Sequence, residues 1–268
     1  MSAPLEYRLK VAARGTAPDL LHPATGLSKS EIKRAMRNGA VWLERDGKRS
    51  RLRRANRKLQ IDDALAIYYS AEVQHSTPPA PKLLEDLESY TVWFKPAGLL
   101  SSGSRYGDHH SIGRWVEQHL ERPTHVVHRL DRFTRGLMLL AHDKKTADQL
   151  AAQFRQRTTD KTYQAEVVGH LADNITINLP IDEREATSHV RPVTRRAART
   201  LVAVTIETGR KHQIRKHLAH IGHPVVGDRL HGDAADGNLQ LVATVLAILC
   251  PLTGERRRFE IPEDLRLF

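Results

Sequence analysis

Asp131 lies between Arg129 and Arg132, and this short ionic cluster is bracketed by apolar residues, Val126, Val127 and Leu130 before it and Leu137-Met138-Leu139-Leu140 after it. A carboxylate set against a core must be paired or hydrogen-bonded, because burying a lone charge is costly. Kept ionised by a cation, it is a competent nucleophile. Adjacency does not decide which arginine pairs with it, and a structural ion pair at a strand end is the competing reading. Two later segments add chemistry of the same kind. Lys161-Thr162-Tyr163-Gln164-Ala165-Glu166-Val167 carries a phenol in a strand-forming run, and Thr208-Gly209-Arg210-Lys211-His212-Gln213-Ile214-Arg215 carries a guanidinium beside Ile214, Leu218 and Ile221. With those three on a core face, Arg215 is placed to point toward a pocket edge, and a surface cation on a basic helix is the competing reading.

The elements that must hold these groups can be read from periodicity. Val126, Val127 and Leu130 predict a short buried strand entering the cluster, Gly136 sits at a break, and Leu137 to Leu140 predict a second strand leaving it. Ser111 is placed to cap a helix with Ile112, Trp115, Val116 and Leu120 inward, and Asp143 precedes Ala147, Leu150, Ala151 and Phe154 at helical spacing. Tyr163 to Val167, Leu201 to Ile206 and the apolar run Leu239 to Leu252 predict strands. Sheet and helix without regular βαβ alternation give an α+β class.

Pro78, Pro79 and Pro81 predict an extended, exposed linker over 74–82, dividing a small module, 1–73, from a larger domain, 83–268. In the module, Ser28-Lys29-Ser30-Glu31 has capping-box spacing, Ile32, Ala35 and Met36 share a helical face, and Gly39 closes the helix before a strand at Ala40 to Leu43. A second strand falls at Ala64 to Tyr69. Between them stand Arg45, Lys48, Arg49, Arg51, Arg53, Arg54, Arg57 and Lys58, opposed within 45–58 by Asp46 alone. Clustered like charge gains most from neutralising phosphates, so Arg49, Arg51, Arg53 and Arg54, with Lys29, are candidate nucleic-acid contacts.

His128-Arg129-Leu130-Asp131, Lys161 to Gly169, and Thr208 to Leu218 continuing through Gly222 to Asp228 resemble, in order, the signature blocks of the RluA-type RNA pseudouridine synthases, and Lys95-Pro96-Ala97-Gly98-Leu99 resembles that family's opening motif. The resemblance runs from about Tyr90 to the C-terminus. It implies a mixed central sheet, with Asp131 as catalytic aspartate, Tyr163 packing against the target base and Arg215 pairing with the aspartate. Arg129 falls where the family helps push a nucleotide from its stack, and Arg132 adds a second RNA contact. The N-terminal layout is similar to an S4 RNA-binding module. Three departures stand out: Arg135 where serine is usual, an extra cation near the pocket; Val242 where histidine is frequent; and Leu230-His231-Gly232 in place of tyrosine-glycine. The implied reaction breaks a C–N glycosidic bond and makes a C–C bond without redox change, so no cofactor is expected, and the base must leave the stack.

The whole chain agrees with a polyanionic partner: 42 Lys and Arg against 31 Asp and Glu give a formal charge of +11. Met1 to Lys10 has no signal-peptide core and no run suits a bilayer, so a cytoplasmic protein without membrane contact is expected. Cys250, the single cysteine, reads as a core thiol. Crowded histidines, His212, His217, His220 and His223, raise a zinc hydrolase, but without His-Glu-x-x-His spacing or cysteine partners no metal is expected. Large-subunit rRNA is the first-choice substrate and tRNA the second, with a monomer as default. The alternative is a catalytically silent RNA-binding or ribosome-assembly factor.

Overall fold

Leu5, Tyr7 and Leu9 alternate with Glu6, Arg8 and Lys10, so β1 (Leu5–Lys10) shields one face and shows the other to solvent. The computed structural model describes residues 3–232 and 237–267. It separates into two compact units, one of residues 1–78 with 102–115 and one of residues 79–101 with 116–268.

In the first unit β1 is followed by β2 (Gly15–Thr16), α1 (Ala17–Thr25), α2 (Lys29–Arg37), β3 (Val41–Arg45), β4 (Lys48–Arg51), β5 (Lys58–Leu59), β6 (Ala64–Tyr69) and α3 (Ala71–His75). The main sheet is antiparallel in the order β1-β6-β3-β4, and β2 pairs β5. The capping box forms as the spacing requires: Ser28 Oγ accepts from the Glu31 amide, and Glu31 accepts from the Ser28 amide. Ile32, Ala35 and Met36 are fully buried with Leu43, Leu65 and Ile67. Gly39, at φ 77°, turns the chain from helix to strand.

The expected linker is corrected in two respects. Its start is helical, since α3 runs to His75, and Gln74 is buried, donating to the Tyr106 carbonyl at 2.8 Å. Residues 102–115, assigned to the larger domain by position, pack with the first unit. Asp108 supplies the reason: its amide donates to the Asn38 carbonyl and its carboxylate takes Arg53 and Arg51. Such long-range partners leave no mark in local composition.

The second unit carries β7 (Lys82–Asp86), β8 (Tyr90–Lys95), β9 (His125–Val126) at the end of the connection that contains α4 (Ile112–Leu120), then β10 (Arg135–Ala141), α5 (Lys144–Gln156), β11 (Asp160–Val168), β12 (Ile175–Asn178), β13 (Thr187–Arg196), β14 (Arg199–Ile206), α6 (Gln213–His220), β15 (Leu241–Leu249) and β16 (Arg256–Glu260). Its sheet runs β12-β13-β14-β11-β15-β10-β8-β7, with β16 beside β15 and β9 beside β10. β10 and β15 run parallel while the other pairs are antiparallel, which makes the sheet mixed and the class α+β. Apolar on both faces, β15 is buried from Leu241 to Ile248. One core forms around Leu139, Leu150, Leu246 and Ile248, and another gathers Val167, Val204, Ile214 and Leu218. Asp143 caps α5 by accepting from the Thr146 amide at 2.8 Å. The strand expected at Val126, Val127 and Leu130 shrinks to β9, whose two residues are exposed, while Leu130 is buried beyond it. The chain instead enters the ionic cluster as an irregular loop, held by side chains that periodicity does not reveal.

Candidate active site

Asp131 is presented by the loop from Val127 to Thr134, and three neighbours fix that loop. Ser101 Oγ donates to the Leu130 carbonyl at 2.6 Å and accepts from the Leu130 amide at 2.9 Å, clamping the residue before Asp131 on both sides. The Gly98 amide donates to the Arg132 carbonyl at 2.9 Å. Lys95, wholly buried at the end of β8, donates from Nζ to the carbonyls of Pro96, Leu99 and Arg132. The carboxylate is left 25% exposed, facing an open cavity.

Tyr163 reaches the same cavity from β11. Pairing between β11 and β15 slips between Thr162 and Tyr163, so that Thr162 faces Val245 and Tyr163 faces Ala243. The skipped residue, Thr244, donates from Oγ1 to the Thr162 carbonyl at 3.1 Å. A bulge of this kind re-aims the side chain beside it. The neighbouring strand must also come close. Gly136 of β10 lies opposite Ala243 at φ 119°, where an added Cβ would run into the Ala243 backbone.

Arg215 lines the cavity from α6 and is only 5% exposed. Its partner corrects the expectation: Arg215 Nε donates to Asp228 Oδ2 at 2.7 Å and Nη2 donates to Oδ1, so the arginine is fixed by Asp228, not by Asp131. Burial works to raise the Asp228 carboxyl, but hydrogen bonds from Arg215 and from the Leu230 and His231 amides outweigh it and hold the group below its ordinary range. The cation nearest Asp131 is potential, not permanent: His212 Nε2 stands 3.9 Å from Asp131 Oδ1. His212 occupies the left-handed region at φ 56° as the residue before α6, and its Nδ1 meets His231 Nε2 at 2.9 Å. Gln213 secures this corner, accepting from Thr208 Oγ1 and the Arg210 amide while donating to the Thr187 carbonyl.

Burial depresses Lys95, His212 and His128. Lys95 falls to about 7 by desolvation, with the Asp131 charge pulling the other way. His212 is lowered by burial against the same opposing charge. The Tyr163 phenol is raised, by burial first and by Asp131 second, so it keeps its proton and can donate one. His128 is brought down to about 3 by burial and is neutral, its Nε2 accepting from the Leu139 amide at 2.9 Å while its ring stacks on Phe154 at 4.3 Å.

Of the expected RNA contacts, Arg129 is exposed and lines both this cavity and an adjoining cleft with Arg155, Arg157, Lys161 and Arg210. Arg132 is exposed over the ring of Phe133, at 5.3 Å. Arg135 does not line the cavity; its neighbour Thr134 does. In the first unit, Lys29 pairs with Asp19 and Arg54 is exposed, whereas Arg51 and Arg53 are engaged by Asp108 and Arg45 by Asp63. The basic run is thus less free than its sequence suggests. Sequence reasoning missed Ser101, Asp228, Arg155 and Arg157, and treated His212 only as a metal candidate. Asp228 stood in plain sight at the end of a quoted block, but its pairing crosses from helix to loop. The crowded histidines serve separate hydrogen bonds: His217 meets Ser188 and the Leu179 carbonyl, His223 the Val168 carbonyl.

Comparison with known proteins shows the family. The RNA pseudouridylate synthase family profile matches residues 89–220. The dual-specificity RNA pseudouridine synthase RluA of Vibrio vulnificus (strain CMCP6) is 36% identical over 215 residues, spanning 70% of this chain and 85% of its own. The ribosomal large subunit pseudouridine synthase D of Xanthomonas campestris pv. campestris is 32% identical over 283 residues, covering 89% and 83%. Among solved structures, human RNA pseudouridylate synthase domain containing 1 superposes with a TM-score of 0.60 at 20% identity, over 69% of this chain and 84% of that one, a likeness of fold. A loop-borne carboxylate, a tyrosine opposite a bulge and a helix-borne arginine meet in a chain that belongs to the RluA-type RNA pseudouridine synthases, isomerases that act on RNA.

Proposed function

We propose that this chain converts specific uridines of structured RNA to pseudouridine, with large-subunit rRNA as substrate and tRNA as the alternative, and that Asp131, Tyr163 and Arg215 carry the chemistry. The observation that supports this most is the convergence of the three side chains, from a loop, a strand and a helix, on one open cavity. In this reading Asp131 is the nucleophile toward the extruded nucleotide. Tyr163 packs its ring on the uracil and, keeping its proton, donates late in the reaction. Arg215, with Nε and Nη2 committed to Asp228, offers Nη1 to the substrate from a position that cannot drift. Arg129 fills the gap left by the base, its planar guanidinium stacking in place of the uracil. Arg132 holds backbone phosphates beside it, and Lys29, Arg49, Arg51 and Arg54 do so from an S4-like N-terminal module. The protein works as a cytoplasmic monomer.

Carbodiimide primer extension on RNA from a deletion strain complemented with wild type or Asp131→Asn tests the assignment. Wild type restores a pseudouridine stop, and the variant, still binding RNA, loses at least about 10³-fold in rate. Equal modification by both would remove Asp131 from the mechanism.

A further inference from the structure

Across the solvent face of the first unit's sheet, Arg8, Ala66, Trp42 and Arg51 stand in register on four adjacent strands. Strand alternation puts Tyr68 and Arg49 on the same face. A hollow on this face is lined by Arg8, Trp42, Arg49, Arg51 and Tyr68, together with Gly103 and Ser104. Tyr68 is 1% exposed and lines this hollow, with its hydroxyl held by Arg8 and Arg49.

The charges around it are unbalanced in a particular way. Arg51 is answered by Asp108 and Arg105 by Glu6. Arg8 and Arg49 make no ion pair among the described residues. Instead both point Nη2 at the same neutral atom, Tyr68 Oη, at 2.7 and 2.9 Å. Glu44 lies across from Arg49 in register but is not bonded to it. Two guanidiniums sharing one phenol oxygen repel each other, and an anion between them would relieve that. Because Oη accepts from both, its own O–H is left to donate. Three donors thus converge, beside guanidinium planes laid over Trp42 at 4.8 Å for Arg49 and 4.2 Å for Arg51. Such planes stack with a nucleobase.

We propose that this sheet face is an additional RNA contact, in which Arg8, Arg49 and the Tyr68 hydroxyl hold one backbone phosphate while the Arg-covered indole supports the neighbouring base. The proposal rests on the reading of the chain as an RNA-modifying enzyme, and it draws on Arg8 and Tyr68, which lie outside the basic run. It also ranks the run itself: Arg49 contacts RNA, whereas Arg45 and Arg53, locked to carboxylates, serve the fold.

Phenylglyoxal footprinting of the full wild-type chain, with and without a transcript of large-subunit rRNA, tests this without altering the protein. RNA should slow modification of Arg8 and Arg49 and leave Arg45 and Arg53 unchanged. In parallel, Arg8→Gln with Arg49→Gln should weaken RNA binding about tenfold and flatten the dependence of log K on log salt by about 1 to 2. Tyr68→Phe should weaken binding with the salt slope kept. Unprotected Arg8 and Arg49 in the RNA-bound protein would overturn the proposal, as would protection by inorganic phosphate that RNA does not reproduce. Pseudouridine is assayed in the same mixture. Protection without modification would count against the proposed reaction alone, modification without protection against this contact alone, and a wild type that binds no RNA against both.

Discussion

Arg215 and Asp228 form a two-pronged ion pair shut away from solvent, with Arg215 5% exposed and Asp228 not at all. The pair sets the guanidinium at the cavity wall before any substrate arrives, because Asp228 also accepts from the Leu230 and His231 amides and so ties α6 to the loop that follows it. Preorganised charge of this kind costs nothing to reorient during reaction.

Removing one partner should therefore be worse than removing both. Asp228→Ala leaves a buried, unanswered guanidinium and should destabilise the protein by about 3 to 5 kcal/mol. Arg215→Met with Asp228→Leu should recover much of that loss in a urea titration and none of the activity.

His128 makes stability depend on acid. Its folded-state pKa, about 3, is below the ordinary value of 6.5, so below that value the unfolded chain binds a proton that the folded chain refuses. The stability tied to the neutral ring is complete above about pH 6.5 and drains as pH falls toward about 3, by up to about 1.4 kcal/mol per pH unit. Chemical denaturation between pH 4 and pH 6 should show a shallower slope for His128→Phe, by up to about one proton.

His212 should give the reaction an acid limb. Burial lowers its pKa, so the ring next to Asp131 is neutral at neutral pH; protonation at lower pH would set a cation 3.9 Å from the carboxylate, which stays ionised but is held in an ion pair away from the substrate. The pH profile of kcat/KM should fall on the acid side in wild type, and in His212→Asn the fall should set in at lower pH.

Gly136 permits the close approach of β10 and β15. With φ at 119° and the Ala243 backbone in the path of a Cβ, Gly136→Ala must spread the parallel pair of β10 and β15. A loss above about 3 kcal/mol, or failure to fold, is expected in thermal melts.

Much of this architecture was legible in the chain. Ser28 and Glu31, three positions apart, specify a helix start because both bonds of the capping box close within one turn. The apolar run at Leu241 to Ile248 specifies a strand covered on both faces, and the ordered blocks around Asp131, Tyr163 and Arg215 pointed to one reaction. Pairings between distant residues were not legible. That Arg215 turns to Asp228, that Ser101 grips Leu130, that Asp108 draws its segment to the first unit and takes Arg53, and that Arg8 meets Arg49 over a phenol all depend on which side chains folding brings within about 3 Å of one another. Hydrogen bonds and ion pairs act only at that range, so their partners are settled by packing across the whole chain, whereas caps, turns and strand alternation are settled among near neighbours and survive in the linear order of residues.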